Sequence, residues 1–249
     1  MPPPKAIALI PARMASTRLP GKMLADSTGK PLIQHVVESV RLAASLARVV
    51  VATDDDRIAQ AVSRFGGESV MTRHDHPNGT SRLAEAAAKL SLLDDVLVAN
   101  VQGDEPEIEP AAIDSAVSLC ARGGIDVATV ASPFMDGEDP ANPNIVKVVR
   151  GVDGHALYFS RSLIPHERAG GSPVGPLKHV GLYVYRVAFL KHYAALPPTP
   201  LERCEMLEQL RVLEHGHRIG VAVVPCKTQG IDTPEQYEAF VTRWKKSRA

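Results

Sequence analysis

The sequence predicts an α/β fold in which helices flank a mostly parallel sheet. The first half alternates short apolar runs with amphipathic stretches, which is typical of strand–helix–strand units. A length of 249 residues suffices for one large domain with an elaborated second half. The chain has no internal repeat or heptad run, so a solenoid or a coiled coil is not expected.

Strands and helices alternate strictly in the first half of the chain. The apolar run from Ile7 to Pro11 predicts the first strand, and Pro31 suits the first turn of the helix that follows. Gly66 and Gly67 close the second helix. Further strands are predicted at 48–53, 68–71 and 96–101, and helices at 31–47, 55–65 and 81–91.

The second half is less regular and predicts an insertion into the main sheet. The link 162–178 is rich in Gly and Pro, which indicates a lid or a partner-facing loop. Thr233 followed by Pro234 indicates the start of a C-terminal helix. Strands are predicted at 127–131, 146–150, 156–159 and 179–185, and one helix at 202–215.

Composition excludes several classes of protein. The 28 basic residues balance 28 acidic ones, so no overall field favours nucleic acid or an anionic membrane. Cys120, Cys204 and Cys226 are too far apart for a zinc motif and odd in number, which does not fit a fully paired disulfide framework and favours the reducing cytoplasm. No apolar run approaches the roughly 20 residues that span a bilayer.

A cationic loop follows the first strand and suits a polyphosphate. Arg13, Arg18 and Lys22 lie where the chain leaves the sheet at its carboxyl end, the side on which open α/β sheets bind ligands. Guanidinium and ammonium groups together offset the charge of a nucleoside triphosphate. A solvated basic loop is the alternative, and Arg18 in particular is open to a structural role.

Two carboxylates follow other predicted strands and suit Mg²⁺, which prefers one or two protein carboxylates beside phosphate and water. Asp104 follows the 96–101 strand segment, and Asp232 precedes the C-terminal helix. Either one is also an ordinary helix cap or loop residue. A rival carboxylate cluster, Asp54 to Asp56, is interpreted as the cap of the next helix.

Polar residues elsewhere indicate contacts with the rest of a nucleotide and with a second substrate. The loop 74–82 contains two histidines without a third soft ligand, so Gly79 is expected to meet a base or ribose and Arg82 a phosphate. Arg161 and His179 suit an acidic, hydroxylated substrate, although each is equally suited to the surface.

An ordered set of motifs resembles the 3-deoxy-manno-octulosonate cytidylyltransferases, the CMP-Kdo synthetases, over nearly the whole chain. The set comprises PARMASTRLPGK (11–22), VATD (51–54), MTR and DHPNGT (71–80), NVQGDEP (100–106), ALYFSR (156–161), HVGLY (179–183), EMLEQLR (205–211) and GIDTPE (230–235). The resemblance implies a Rossmann-like nucleotidyltransferase sheet and a homodimer. It also implies that CTP and Kdo give CMP-Kdo and pyrophosphate with Mg²⁺, for lipopolysaccharide biosynthesis.

The resemblance also implies a role for each matched residue. Arg13 and Lys22 would neutralise the triphosphate, and Asp104 and Asp232 would hold Mg²⁺. The nucleotide would further contact Ala12, Ser16, Asn78, Gly79 and Arg82. The sugar would contact Gln102, Arg161, His179, Tyr183, Glu208 and Gln209.

The chain is expected to form one domain over 1–249. The nucleotide-binding part would cover about 5–130, the sugar-binding and dimerisation part about 131–228, and a segment from 229 to 249 would return to the main sheet. The alternative acceptors are 8-amino-Kdo and sialic acid. A catalytically silent nucleotide-binding protein is disfavoured because Lys22, Asp104 and Asp232 are all present.

Overall fold

The computed structural model describes residues 6–16, 18–168, 170, 175–227 and 230–248. Its strands are β1 (Ala6–Ala12), β2 (Leu46–Thr53), β3 (Glu68–Met71), β4 (Leu97–Asn100), β5 (Val127–Pro133), β6 (Lys147–Arg150), β7 (Ala156–Ser160), β8 (Leu177–Arg186) and β9 (Ile219–Val223). They form one sheet whose main path has the order β3-β2-β1-β4-β8-β5-β9.

Most of the sheet is parallel, as predicted. Strands β1 to β4 pair in parallel, and β5 pairs in parallel with β9. Strand β8 is the exception, since it lies antiparallel between β4 and β5. The β6–β7 hairpin joins the sheet through β6, which pairs with β8. The elaboration of the second half is therefore this hairpin and β8.

Helices cover both faces of the sheet because its strands alternate apolar side chains between two cores. The helices are α1 (Leu32–Val40), α2 (Asp56–Arg64), α3 (Gly79–Lys89), α4 (Pro110–Ala121), α5 (Val187–Ala195), α6 (Pro200–Glu205), α7 (Gln209–Glu214) and α8 (Pro234–Lys246). Helices α1, α2 and α4 contribute to one core, and α3, α5 and α7 contribute to the other. None of the described helices combines the length and apolar character needed to cross a bilayer.

Two helix predictions were wrong in extent. The helix predicted at 202–215 is divided, because Met206 adopts the left-handed conformation with φ of 54° and ends α6. The helix predicted at 31–47 ends at Val40, since Leu46 already pairs with Ala6 in the sheet. The prediction that the Asp54–Asp56 cluster caps a helix is confirmed, because the Asp55 side chain accepts a hydrogen bond from the Arg57 amide.

The C-terminal helix packs beside the nucleotide-binding part of the predicted domain. Tyr237 and Phe240 of α8 form a small core with Leu32 of α1 and Ile231. Before α8, the Ile231 amide donates to the Asp104 carbonyl oxygen at 2.9 Å. That contact brings the segment before α8 to the loop that follows β4.

The link 162–178 lies partly outside the described residues, so its predicted role as a lid or a partner-facing loop stays a prediction.

Candidate active site

Most of the predicted site residues lie where the order of the sheet reverses. Strand β1 pairs with β2 on one side and with β4 on the other, and ligands of open α/β sheets bind at such a switch point. The loops after β1 and β4 approach closely there. A Cβ atom on Gly103 would lie 2.7 Å from the Pro11 carbonyl oxygen, so the close approach requires glycine.

A buried ammonium joins the two predicted metal ligands. The Lys22 side-chain nitrogen lies 2.6 Å from Asp104 Oδ2 and 2.9 Å from Asp232 Oδ1. It also donates to the carbonyl oxygen of Ile231 at 2.9 Å. Lys22 is only 8% exposed, so few water molecules screen these contacts.

Local structure explains why these three side chains converge. Gly21, with φ of 69°, precedes a short 3-10 helix over Lys22–Leu24 that turns Lys22 back towards the sheet. Asp232 is fixed by the start of α8, where Gln236 Oε1 accepts hydrogen bonds from the Asp232 and Thr233 amides. Asp232 therefore lies at the start of a helix, as the alternative to a metal ligand proposed, and it also faces Lys22.

The other cations of the loop have different surroundings. Arg18 makes an ion pair of 2.7 Å with Asp232 Oδ2, and both side chains are partly exposed. Arg13 is exposed and makes no hydrogen bond or ion pair with another described residue. Its charge does act on Glu208, where it lowers the pKa in opposition to burial. Arg13 thus links the cationic loop electrostatically to Glu208.

The remaining predicted nucleotide contacts fall into two groups. Ala12 and Ser16 lie at the end of β1 and in the cationic loop, and the Ser16 hydroxyl accepts from the Leu19 amide. Asn78 caps α3 by accepting a hydrogen bond from Ser81, and Gly79 begins the helix beside Pro11.

Arg82 lies deeper in the protein than a phosphate ligand would require. Its guanidinium is 4% exposed and makes an ion pair with Asp54 Oδ2 at 2.8 Å. It also donates to the Thr72 hydroxyl at 2.6 Å. Through these contacts, Arg82 holds the loop after β3 against α3.

A polar cavity of about 210 Å³ brings together most of the predicted sugar contacts. Gln102, Tyr183, Glu208 and Gln209 line it, and Gly79 lies at its edge towards the nucleotide residues. A bulge in β8 shapes the wall, because Val130 pairs with Val180 while Thr129 pairs with Tyr183. Bulges are common beside active sites, where they redirect side chains.

The structure also places several polar residues in this cavity that the sequence analysis missed. Thr80, Asn100, Tyr185 and Tyr193 line it. The sequence contains features that could have identified two of these residues, Asn100 and Tyr185. Asn100 is a polar residue at the end of an apolar strand segment, and Tyr185 follows Tyr183 at the two-residue spacing that places side chains on one face of a strand.

Glu208 stands at the opening of the cavity, where it remains accessible to solvent. Protein atoms surround much of its carboxyl, and this desolvation raises the pKa of Glu208. Glu105, behind the cavity, was also missed. Burial and the neighbouring Asp104 raise the pKa of Glu105 to about 8, and its Oε2 has no hydrogen-bond partner among the described residues.

Arg161 and His179 do not line the cavity. Arg161 donates to the carbonyl oxygens of Glu205 and Pro143, which places its guanidinium behind the turn after α6. His179 contacts the Thr129 hydroxyl at 2.9 Å. Burial lowers the pKa of His179 to about 3, so this histidine is neutral at physiological pH.

A larger cavity of about 670 Å³ lies elsewhere, between α4 and the edge strand β9. None of the predicted site residues lines it. The smaller cavity is the better candidate because carboxylate, amide and hydroxyl groups line it beside the switch point, where the loop from Arg13 to Lys22 supplies the cations. Such an arrangement can bind a triphosphate and a hydroxylated acceptor side by side.

Comparison with known proteins identifies the family. A family model described as cytidylyltransferase matches residues 7–219. Curated 3-deoxy-manno-octulosonate cytidylyltransferases of Geobacter sulfurreducens and Syntrophobacter fumaroxidans are each 49% identical to the chain. The alignments cover 96% and 95% of this chain, and 98% and 96% of the relatives.

Solved structures agree with this result. A CMP:2-keto-3-deoxy-manno-octonic acid synthetase complexed with CTP has a TM-score of 0.90 and 42% identity, over 98% of this chain and 99% of its own. A cytidylyltransferase from Leptospira borgpetersenii has a TM-score of 0.60 and 18% identity, over 96% of this chain and 86% of its own, and shows a shared fold. The chain therefore belongs to the 3-deoxy-manno-octulosonate cytidylyltransferase family.

Proposed function

We propose that this protein activates Kdo with CTP, giving CMP-Kdo and pyrophosphate for lipopolysaccharide biosynthesis. The observation that carries the proposal is that Lys22, with Asp104 and Asp232, lies at the same switch point as the polar cavity. The family relatives support the same chemistry, and the chain is a CTP-dependent nucleotidyltransferase. Another 2-keto sugar acid as acceptor is not favoured.

The reaction needs positioning and charge neutralisation from the protein. The anomeric hydroxyl of Kdo attacks the α-phosphorus of CTP in line as its proton passes to solvent, and pyrophosphate leaves with the electrons of the broken bond. Arg13 and Lys22 supply positive charge for the triphosphate and the leaving group. Because the acceptor attacks directly, no side chain has to become covalently attached.

We also propose that Asp104 and Asp232 hold Mg²⁺ when the nucleotide binds. Oxygens of both carboxylates lie within 2.9 Å of one cationic atom, Lys22 Nζ, so the pair is close enough to share a single cation. Two carboxylates leave room for phosphate and water, as Mg²⁺ prefers. The bound ion would offset charge on the triphosphate.

The sugar acid is proposed to occupy the polar cavity. Gln102, Tyr183, Glu208 and Gln209 offer hydrogen-bonding groups to its hydroxyls. His179 is neutral, so it can form hydrogen bonds, as it does with the Thr129 hydroxyl, but it carries no charge that would attract a carboxylate.

A homodimer in the cytoplasm remains part of the proposal. Of the nine large apolar side chains that are exposed in the described residues, six fall within 131–228, the part expected to form the dimer. They are Val152, Leu157, Leu163, Leu201, Met206 and Val223. Exposed apolar groups in one region are typical of an interaction surface.

Pyrophosphate release from CTP tests the proposed reaction. Initial rates are measured with Mg²⁺ and Kdo, 8-amino-Kdo or sialic acid at matched concentrations. We expect Kdo to give the highest rate and CMP-Kdo as the product. The proposal is wrong if the folded protein binds CTP but releases no pyrophosphate with Kdo, and a faster rate with another acid would reassign the acceptor.

A further inference from the structure

Asn100 is a buried polar side chain that the proposed function leaves without a role. It ends β4, whose other residues are apolar, and it is 2% exposed. Its Oδ1 atom has no hydrogen-bond partner among the described residues. A buried acceptor without a donor is costly to folding, so its presence calls for an explanation.

The surroundings of Asn100 point to a ligand. Asn100 lines the same cavity as Gln102 and Glu208. The Tyr185 side chain interacts with Asn100 and Thr80, the Thr80 side chain interacts with Glu208, and all four residues line the cavity. Asn100, Tyr185, Thr80 and Glu208 therefore form a polar row along the cavity wall, with one acceptor left unpaired at its inner end.

The chemistry of the row favours a hydroxyl over a carboxylate as its partner. The unpaired amide oxygen only accepts hydrogen bonds, and the Glu208 carboxylate accepts them when ionised. The row contains no cation that would attract the carboxylate of a sugar acid. A sugar hydroxyl, in contrast, donates to one such oxygen while it accepts from a neighbouring group.

We propose that Asn100 determines specificity for the sugar acid, by accepting a hydrogen bond from one hydroxyl of the bound sugar through Oδ1. This inference rests on the proposed function. Sites that hydrogen-bond a substrate hydroxyl reject analogues that lack it, because a buried polar group is then left unpaired. At the inner end of the cavity, Asn100 would therefore disfavour sugar acids that lack the hydroxyl from which its Oδ1 accepts.

The test combines a variant with substrate analogues. Wild-type protein and Asn100→Ala are assayed with Kdo and with analogues that each lack one hydroxyl. For one analogue we expect the wild type to lose at least about tenfold in kcat/KM. The variant should lose a similar factor with Kdo itself and lose nothing further with that analogue, while its KM for CTP stays within about twofold.

Two more variants separate recognition from structural support. Asn100→Thr keeps an acceptor oxygen and should retain part of the discrimination, which also covers the case in which Asn100→Ala does not fold. Leu97→Ala removes buried volume from the opposite face of the same strand, away from the cavity, and it should lower the thermal midpoint without changing the order of preference among the analogues.

The possible outcomes are distinct. Equal losses for Kdo and every analogue, or an equal rise in KM for CTP, would show that Asn100 only supports the structure. Unchanged kinetics in Asn100→Ala would also overturn the inference. A wild type that releases no pyrophosphate with Kdo overturns the proposed function and this inference together.

Discussion

Lys22 connects the carboxylates of the site, and its position has a consequence for metal binding. Two carboxylates that face each other repel, and a buried ammonium between them relieves that repulsion. The contacts of Lys22 to Asp104 and Asp232 place its charge where the proposed cation would also act. In the nucleotide-free protein, Lys22 would therefore compete with the proposed divalent cation for the same oxygens.

Replacing Lys22 by Met should strengthen metal binding in the absence of nucleotide. Mn²⁺ serves as the probe, measured by electron paramagnetic resonance or calorimetry on the free protein. We expect about tenfold tighter binding, equivalent to about 1.4 kcal/mol, together with at least a hundredfold slower turnover of CTP. Lys30→Met, which removes an ion pair with Glu38 away from the site, is the control. Unchanged Mn²⁺ affinity in Lys22→Met would contradict the competition.

The carboxylates themselves give a second prediction at this scale. Asp104→Ala and Asp232→Ala should each reduce turnover by at least about a hundredfold, because each removes a proposed metal ligand beside the phosphates. Both side chains are partly exposed, so the thermal midpoint should change little. The measurement pairs pyrophosphate release with thermal unfolding. Wild-type turnover in either folded variant would reject the metal assignment.

Helices α6 and α7 show how an element boundary positions a wall of the cavity. The left-handed Met206 ends α6, and the chain then presents Glu208 and Gln209 at the start of α7. The sequence does not reveal this break, because residues 202–215 keep helical spacing and contain neither Gly nor Pro before Gly216. Tertiary contacts override local propensity here.

A buried ion pair fixes α6 to α7 across the break. Arg211 donates from Nε to Glu202 Oε2 at 2.8 Å, and a second contact makes the pair bidentate. Arg211→Met should reduce the free energy of unfolding by about 3–5 kcal/mol, since it leaves the Glu202 carboxylate buried and unpaired. Among molecules that remain folded, we expect KM to rise for Kdo more than for CTP.

A matched pair of variants checks that interpretation. Chemical denaturation and initial rates are measured for Arg211→Met and for the double variant Glu202→Gln with Arg211→Met. The double variant should recover part of the lost stability because no unpaired charge remains. If KM for CTP rises as much as KM for Kdo in Arg211→Met, the ion pair between Arg211 and Glu202 supports the whole site and not specifically the cavity wall formed by Glu208 and Gln209.

The contact between α1 and α8 depends on a neutral histidine. His35 of α1 is 3% exposed and packs against Phe240 and Trp244, with ring centroids 5.1 and 4.4 Å apart. Burial lowers the pKa of His35 to about 4, and Lys30 and Arg248 lower it further while Glu38 opposes the shift. The folded protein therefore resists protonation of this ring.

Acid should weaken this contact between pH 6.5 and 4. Above pH 6.5 the His35 ring is neutral in both the folded and the unfolded protein. Between pH 6.5 and 4 the unfolded chain binds a proton on this ring that the folded chain does not, so the folded state loses stability as the pH falls. The stability lost at pH 4 amounts to about 2–3 kcal/mol. Fluorescence of Trp244, the one tryptophan of the chain, reports the change during denaturation. His35→Phe should remove this part of the pH dependence, and an unaltered dependence would contradict it.

At the scale of the whole molecule, alternation of strands and helices predicted the parallel sheet and the edge where the site lies. The prediction succeeded because β1, β4 and their loops carry local signals, such as the apolar run before Arg13 and the motif that contains Asp104. The antiparallel insertion of β8 between β4 and β5 gave no such signal. Pairing between distant segments, and hence the cavity around Asn100 and Tyr185, depends on contacts that periodicity does not encode.

The exposed apolar side chains of the second half lead to a prediction about assembly. Leu157 and Met206 are 64% and 76% exposed, and Glu205 links their segments by accepting from Ser160 at 2.6 Å. If this face forms the proposed homodimer, Leu157→Asp and Met206→Asp should each weaken the dimer at least about tenfold, because each would bury a charge. Light scattering over a dilution series measures the mass. Leu42→Asp, at a residue 73% exposed in the first half, should leave the dimer intact. A monomeric wild type, or dissociation by Leu42→Asp alone, would place the interface elsewhere or exclude it.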